Sequence, residues 1–252
     1  VDFSNWFKEL GIKEGDILLL GSDVLTLAWN LREKEIKFNT ETFIRSLMEC
    51  IGDEGTLMFP TFNWDFCNKA FFDYHHTPSA TGALSTTALN MNEFVRTKHP
   101  IYSFAVSGKF RNQLLELNNI SAFGEDSPFA FLHKNKGKML MIGVEYQNSF
   151  TFAHYVEQQE KVLYRFEKEF VGEYIDESGK SSNKMYSMNV RDLEKKVQTQ
   201  LTPIGKEIDQ LSNTIIKYFY DVRFRLLHLD EVYRVIADDI AENAGGKLHV
   251  EL

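Results

Sequence analysis

The segment SFTFAHYVEQQE, residues 149–160, sets a histidine, His154, three residues ahead of a carboxylate, Glu157. On a helix that spacing puts both side chains on one face. A carboxylate there can fix the imidazole tautomer and favour its protonated form. Asn148 or Ser149 is placed to cap such a helix, which would set His154 near the positive end. That end disfavours imidazolium. The two influences oppose each other, so a pKa close to neutrality is expected, the range in which a general base works. The pattern alone also admits a structural histidine.

A second candidate is TPSATG, residues 77–82, which runs into a helical pattern. Thr77, Ser79, Thr81 and the backbone near Gly82 would offer hydroxyls and amide donors at a helix start, an arrangement suited to an anion. Capping and turn formation account for the same residues without a ligand. No GKS or GKT follows, so this is not a P-loop, and no GxGxxG follows a strand. His75 and His76 are adjacent, so on a strand they would point apart. His154 with Glu157 supplies only two ligands and there is no HExxH, so no metal is expected. A GxSxG elbow is also missing.

These residues need a scaffold, and the chain reads as alternating strands and helices. DILLL (16–20), GTLMFPTF (55–62), YSFAVSG (102–108) and KMLMIGV (138–144) are apolar runs bounded by turn residues, as buried strands are. NTETFIRSLMECIG (39–52) has Phe43, Leu47, Met48 and Ile51 at helical spacing, with Thr40 as the expected cap and Gly52 as a stop. TGALSTTALNMN (81–92) and DEVYRVIADDIAEN (230–243) read as further helices. After residue 161 alternation takes over, and KVLYRFEKEFVGEYID and KMYSMNVRDL form an expected hairpin around ESGKSSN. The expected class is α/β, one domain over residues 1–252, with the hairpin appended to the sheet.

Composition sets outer bounds. The chain has 252 residues, 43% hydrophobic and 25% charged, which is ordinary for a globular protein. A net charge of −8 argues against a broad nucleic-acid footprint. Two cysteines, Cys50 and Cys67, make no disulfide framework and suit a reducing compartment. No apolar run reaches the roughly 18 residues of a spanning helix, and the N-terminus does not look like a signal peptide. A cytoplasmic protein without membrane or nucleic-acid partners is expected.

Taken in order, GDEGTLMFPTF, FDYHHTPSATGALS, RTKHPIYSFAVSG, FGEDSPFAFL, MLMIGV and TFAHYVE resemble the aminoglycoside 3-N-acetyltransferase (antibiotic acetyltransferase) family over about residues 15–160. The C-terminal helix fits more weakly. The resemblance implies an acetyl-CoA-dependent N-acetyltransferase with a three-layer α/β/α fold around a mixed sheet, distinct from the larger acetyltransferase superfamily. It puts the general base on His154, with Glu157 beside it. It lines the CoA cleft with Thr77, Ser79, Gly82, Arg96, His99 and Ser103. Arg96 and Lys98 suit the phosphates of CoA, and Thr151 or strand-end amides suit the oxyanion.

Two features bear on the acceptor. Resistance enzymes of the family carry a long insertion where this chain has only NWDFCNKAFFDYHH. Ser22 and Asp23, in LGSDVL, stand where the family usually has a histidine–serine pair. Both segments border the acceptor side of the family's cleft. The compact form resembles the branch of the family found with surface-polysaccharide genes, and that resemblance implies an amino sugar, nucleotide-linked, as the acceptor, with Tyr164 and Arg165, beside Phe166 and Lys168, to contact it. The alternative is an aminoglycoside, with Asp65 and Asp73 holding its ammonium groups. The hairpin offers a surface for a homodimer.

Overall fold

The computed structural model describes residues 3–251. Helix α1 (Ser4–Glu9) precedes strand β1 (Ile17–Ser22), and α2 (Leu25–Glu33) and α3 (Thr40–Ile51) return the chain to β2 (Thr56–Pro60). A 3-10 turn at Asp65–Asn68 leads to β3 (Phe72–Asp73), α4 (Ala83–Asn90), β4 (Val95–Arg96) and β5 (Phe104–Gly108). Next come α5 (Arg111–Glu116), α6 (Pro128–Lys134), β6 (Lys138–Ile142), α7 (Tyr146–Ser149) and α8 (Phe152–Gln159). The last part holds β7 (Arg165–Ile175), β8 (Ser181–Arg191), β9 (Val197–Thr199) and α9 (Thr202–Ile208). It closes with β10 (Ile215–Phe219), β11 (Val222–His228), α10 (Leu229–Asn243) and β12 (His249–Glu251).

The main sheet has seven strands in the order β10-β11-β6-β1-β2-β5-β4. The central β6, β1 and β2 run parallel, and antiparallel strands flank them on both sides. Strands ILLLGS, TLMFP and KMLMI are nearly all apolar because the sheet is covered on both faces. Leu18, Leu20, Leu57, Phe59, Leu140 and Ile142 face one core, shared with α1 to α4. Ile17, Leu19, Met58, Met139 and Met141 face the other, shared with α6, α8, α9 and α10. This is the expected three-layer α/β/α arrangement around a mixed sheet.

Three local expectations change. The side chain of Asn39, not Thr40, caps α3 by accepting the Thr42 N–H at 2.8 Å. The β7–β8 hairpin forms, but with β3 it makes a separate three-stranded sheet instead of extending the main one. The expected helix over 149–160 is broken at Phe150, and neither Asn148 nor Ser149 caps α8, whose N-cap position is Thr151. Among the described residues no helix is long and apolar enough to cross a membrane.

Two constraints shape the loops after β1 and β6. Asp23 N–H donates to Ile142 O at 2.8 Å, which draws the loops together. Gly143 sits at φ +64, and a Cβ there would lie 2.4 Å from the Asp23 carbonyl oxygen. A side chain at 143 therefore meets both backbone strain and a backbone clash. Gly143→Ala is expected to lower stability by about 1–3 kcal/mol, read from urea denaturation. An unchanged midpoint would show that the two loops are not locked together.

Candidate active site

The parallel strands β6, β1 and β2 end at one edge of the sheet, where open α/β sheets hold ligands. A cleft of about 650 Å³ opens there, lined among others by Asp23, Phe62, Gly82 and Val144. A smaller cavity of about 170 Å³, with Tyr102, His154 and Thr199 on its wall, adjoins it. Trp64, Asn148, Ser149 and Thr151 line both, so the two spaces meet along that seam.

His154 stands in the first turn of α8, at the helix's positive end. Its Nδ1 lies 2.7 Å from Glu157 Oε2. The Glu157 side chain has no exposed surface, while that of His154 is 21% exposed. Tyr164 OH donates to Glu157 Oε1 at 3.0 Å. Arg165 Nε lies 2.8 Å from Glu157 Oε2, but its N–H is not aligned for a hydrogen bond, so this contact is an ion pair. Arg165 is itself fixed by donating from Nη2 to Thr199 Oγ1 at 2.8 Å. The carboxylate thus gathers groups from α8, from the turn before β7 and from β7 itself.

Burial alone would raise the Glu157 pKa, but His154, Arg165 and Tyr164 together hold it below the ordinary carboxylate value. Burial pushes the His154 pKa down, and the Arg165 charge adds to this; Glu157 opposes both and is outweighed. The result is an ionised carboxylate beside a neutral imidazole. An ionised Glu157 accepts the Nδ1 proton, which assigns the tautomer and leaves a lone pair on Nε2. That is the state a general base needs.

Two hydroxyls sit on the seam. Ser149 Oγ is buried and has no hydrogen-bond partner within the protein. Thr151 lies at the start of α8, three residues before His154. On the far side of the cleft, Ser79 Oγ and Thr81 Oγ1 are 2.8 Å apart, and Thr81 also bonds Pro60 O, fixing the loop into α4. Gly82 adopts φ +96, which favours glycine, and no side chain caps α4. The N–H groups of that first turn stay open beside the cleft.

Several expected ligand contacts turn out to be internal ties. Arg96 is buried, donating to Tyr74 O at 3.2 Å and Thr77 O at 2.5 Å, and burial lowers its pKa to about 10. His99 accepts N–H groups from Ile101 and Tyr102 on Nδ1, and its Nε2 lies 3.2 Å from Ile120 O. Burial lowers its pKa to about 4, so it is a neutral brace that positions Tyr102. Ser103 Oγ donates to Thr61 O at 2.9 Å. None of these three lines the cleft. Lys98 lies 3.7 Å from Glu177, and Thr77 Oγ1 accepts the Asp73 N–H.

On the acceptor side, Ser22 and Asp23 do line the cleft. Asp65 is exposed at the start of the 3-10 turn and lines neither cavity. Asp73 accepts the N–H groups of His75 and His76, both at 2.9 Å, and closes a turn. Tyr164 and Arg165 serve Glu157 instead of facing a ligand. Sequence reasoning does not assign Trp64, Tyr102 or Ser149 a place in the site, although Trp64 lies in NWDFCNKAFFDYHH, Tyr102 in RTKHPIYSFAVSG and Ser149 beside the expected start of the His154 helix. Among the described residues no group of three or more His, Cys, Asp or Glu could hold a metal ion.

The sequence model of the family described as aminoglycoside 3-N-acetyltransferase matches residues 31–238. A similar curated protein is the SPbeta prophage-derived aminoglycoside N(3')-acetyltransferase-like protein YokD of Bacillus subtilis (strain 168). It is 24% identical over 183 residues, 63% of this chain and 65% of that protein. Aminoglycoside N(3)-acetyltransferase IX of Micromonospora chalcea is 24% identical over 172 residues, 59% of this chain and 58% of that protein. The matches thus span less than two thirds of either relative's length.

Solved structures share the fold at low identity. The crystal structure of YokD has a TM-score of 0.79 at 21% identity, covering 96% of this chain and 93% of that one. Aminoglycoside acetyltransferase AAC(3)-Xa gives 0.81 at 17%, covering 96% and 92%. AAC-IIIb in binary complex with CoASH gives 0.77 at 16%, covering 92% of each chain. The family match runs from within α2 into α10 and includes the His154–Glu157 pair, so the chain belongs to the aminoglycoside 3-N-acetyltransferase family.

Proposed function

We propose that the chain is an acetyl-CoA-dependent N-acetyltransferase acting on a primary amine carried by a saturated, hydroxylated ring. One observation carries this reading above the rest: a neutral imidazole, oriented by a buried ionised carboxylate, borders the small cavity that adjoins the cleft at the carboxyl ends of three parallel strands. The uncharged amine attacks the thioester carbonyl carbon, forming the C–N bond. His154 Nε2 takes the proton that the nitrogen sheds. The C–S bond then breaks, and the proton passes from His154 to the departing thiolate. Thr151 and Ser149 supply hydroxyl donors for the oxyanion, where a single donor is typically worth about 10²–10³-fold.

The cleft suits the pantetheine arm of CoA, a long, weakly polar chain. Its wall mixes Phe62, Val144 and Ala83 with the Ser22 and Thr81 hydroxyls. Among the described residues no Lys or Arg lines the cleft. The phosphates would therefore rest at its mouth, against the open N–H groups of the first turn of α4. Ser79 and Gly82 act here by shaping that turn. Cys50 and Cys67 are free thiols, which supports a reducing compartment such as the cytoplasm.

The names of the relatives support an aminoglycoside-type amine as acceptor. A nucleotide-linked amino sugar for surface polysaccharide is the second reading. It is favoured by a groove of about 810 Å³ on the hairpin, where Phe166 and Phe170 lie beside Lys168 and Arg191. Both acceptors present the same reacting group.

His154→Asn is expected to reduce amine-dependent thiol release from acetyl-CoA by about 10²–10⁴-fold while acetyl-CoA still binds; retained turnover would remove His154 as the base. The pH profile gives an independent check. Only neutral His154 is active, and its pKa is lowered, so kcat/KM should fall on acidification through a midpoint below 6.5. Arg165→Met removes a nearby cation and should move that midpoint to higher pH, whereas Arg165→Lys should leave it nearly in place. A midpoint insensitive to both substitutions would show that Arg165 has no electrostatic role.

A further inference from the structure

The carboxylates around the cleft are almost all committed. Among the described residues Asp23 is the single Asp or Glu lining either cavity, and no Lys or Arg lines them. Asp23 Oδ1 accepts the Leu25 N–H at 2.9 Å, which leaves Oδ2 for a ligand. Glu157 is fully buried and balanced by Arg165. Glu145 pairs with Arg225 at 2.9 Å and also with Arg223. Asp73 is held within its own turn by His75 and His76.

The remaining wall is apolar or neutral, and one aromatic side chain divides it. Trp64 is 42% exposed and lines both cavities. Phe62 and Tyr102 flank its ring, with centroids 6.4 and 6.3 Å away. An indole held in this way offers apolar surface to the C–H face of a sugar ring.

From these observations we infer that the acceptor presents a single ammonium to this cleft, paired with Asp23, with its ring face resting on Trp64. This deepens and rests on the acetyltransferase reading. Asp23 is exposed at the cleft rim, so an ammonium paired there keeps part of its water, whereas one carried past it onto the apolar wall loses hydration that only an opposite charge restores. Asp23 provides for one. A polyammonium aminoglycoside would bring further charges to walls made of Phe38, Trp64 and Leu201, beside the pantetheine arm. The reacting amine must also shed its proton, and one carboxylate holds it in place without strongly raising its pKa, as a cluster of carboxylates would.

The test is calorimetric titration of the full chain, with CoA present, using two probes: glucosamine, with one amine, and neamine, with several. Binding of glucosamine, with neamine less than tenfold tighter at about 50 mM salt, is the expected result, and about 300 mM salt should change neamine affinity only a few-fold. Asn148→Asp, which adds a second carboxylate to both cavity walls, should tighten neamine selectively. Trp64→Ala should weaken glucosamine at least about fivefold, and Trp64→Phe should recover most of that loss. Neamine binding tenfold or more tighter to the native protein, or no binding of glucosamine, overturns the inference. Thiol release from acetyl-CoA, followed in parallel, reports separately on the acetyltransferase reading. Its absence with both amines counts against that reading, while the binding ratio still decides the acceptor's charge.

Discussion

The site depends on one buried carboxylate. Removing Glu157 from water costs several kcal/mol unless its oxygens find partners. His154 and Arg165 occupy Oε2, and Tyr164 occupies Oε1. These partners span the end of one helix and the start of the β7–β8 hairpin, so satisfying the charge also docks the hairpin sheet against the main sheet's helical layer. Arg165 continues the tie to Thr199 on β9. The same arrangement that makes the burial tolerable holds the imidazole neutral and correctly tautomerised. Stability and base chemistry share a single set of contacts, and breaking one partner would leave a buried charge exposed to the full desolvation penalty.

A second buried charge fixes the other wall. Arg225, on β11, is almost fully buried and donates from Nη1 to Val144 O at 2.9 Å. It pairs with Glu145 and Asp209 and lies 5.0 Å from the centre of the Tyr146 ring. Tyr146 OH in turn donates to Asp209 at 2.7 Å. The loop between β6 and α7 is thereby pinned to β11 and α9. That loop leads directly to Asn148, Ser149 and Thr151, the residues on the seam between the two cavities. Gly143 locks it from the other side against the loop after β1. The seam is braced from both sides, by the Arg225 side chain donating to Val144 O and by the Asp23 N–H donating to Ile142 O.

How much of this can be read from residues alone follows the distance over which each interaction acts. The central strands are legible because burial on both faces writes continuous apolar runs, and each lies within a residue or two of its expected ends. The His154–Glu157 pair is legible because helix geometry is local. The β10–β11 hairpin is not: its two-residue turn uses Tyr220 and Asp221 at φ 47 and 60, where the usual signal is Asn-Gly. Arg165 reads as a hairpin cation that contacts the acceptor until the chain folds back and brings it to Glu157. Arg96, His99 and Ser103 show the opposite failure. A polar side chain that braces a cleft's backbone has the same type and sequence position as one that touches the ligand. Only the location of its hydrogen bonds separates them.

The charge of the whole molecule and the charge of the cleft do different work. A net charge of −8 draws cations of every kind toward the surface and repels an anionic cofactor. That field falls off within about a Debye length at physiological salt, and it does not distinguish one ammonium from four in kind. Selection must come from the walls, where desolvation makes each unpaired charge costly. On the proposed function, a cleft with one carboxylate and no basic side chain among the described residues would leave CoA to backbone N–H groups and apolar contact. It would also leave the acceptor to be chosen by shape and by a single charge. The acidic surface can therefore raise the encounter rate of amines without contributing to the choice among them, which on the inference above falls to Asp23 and Trp64.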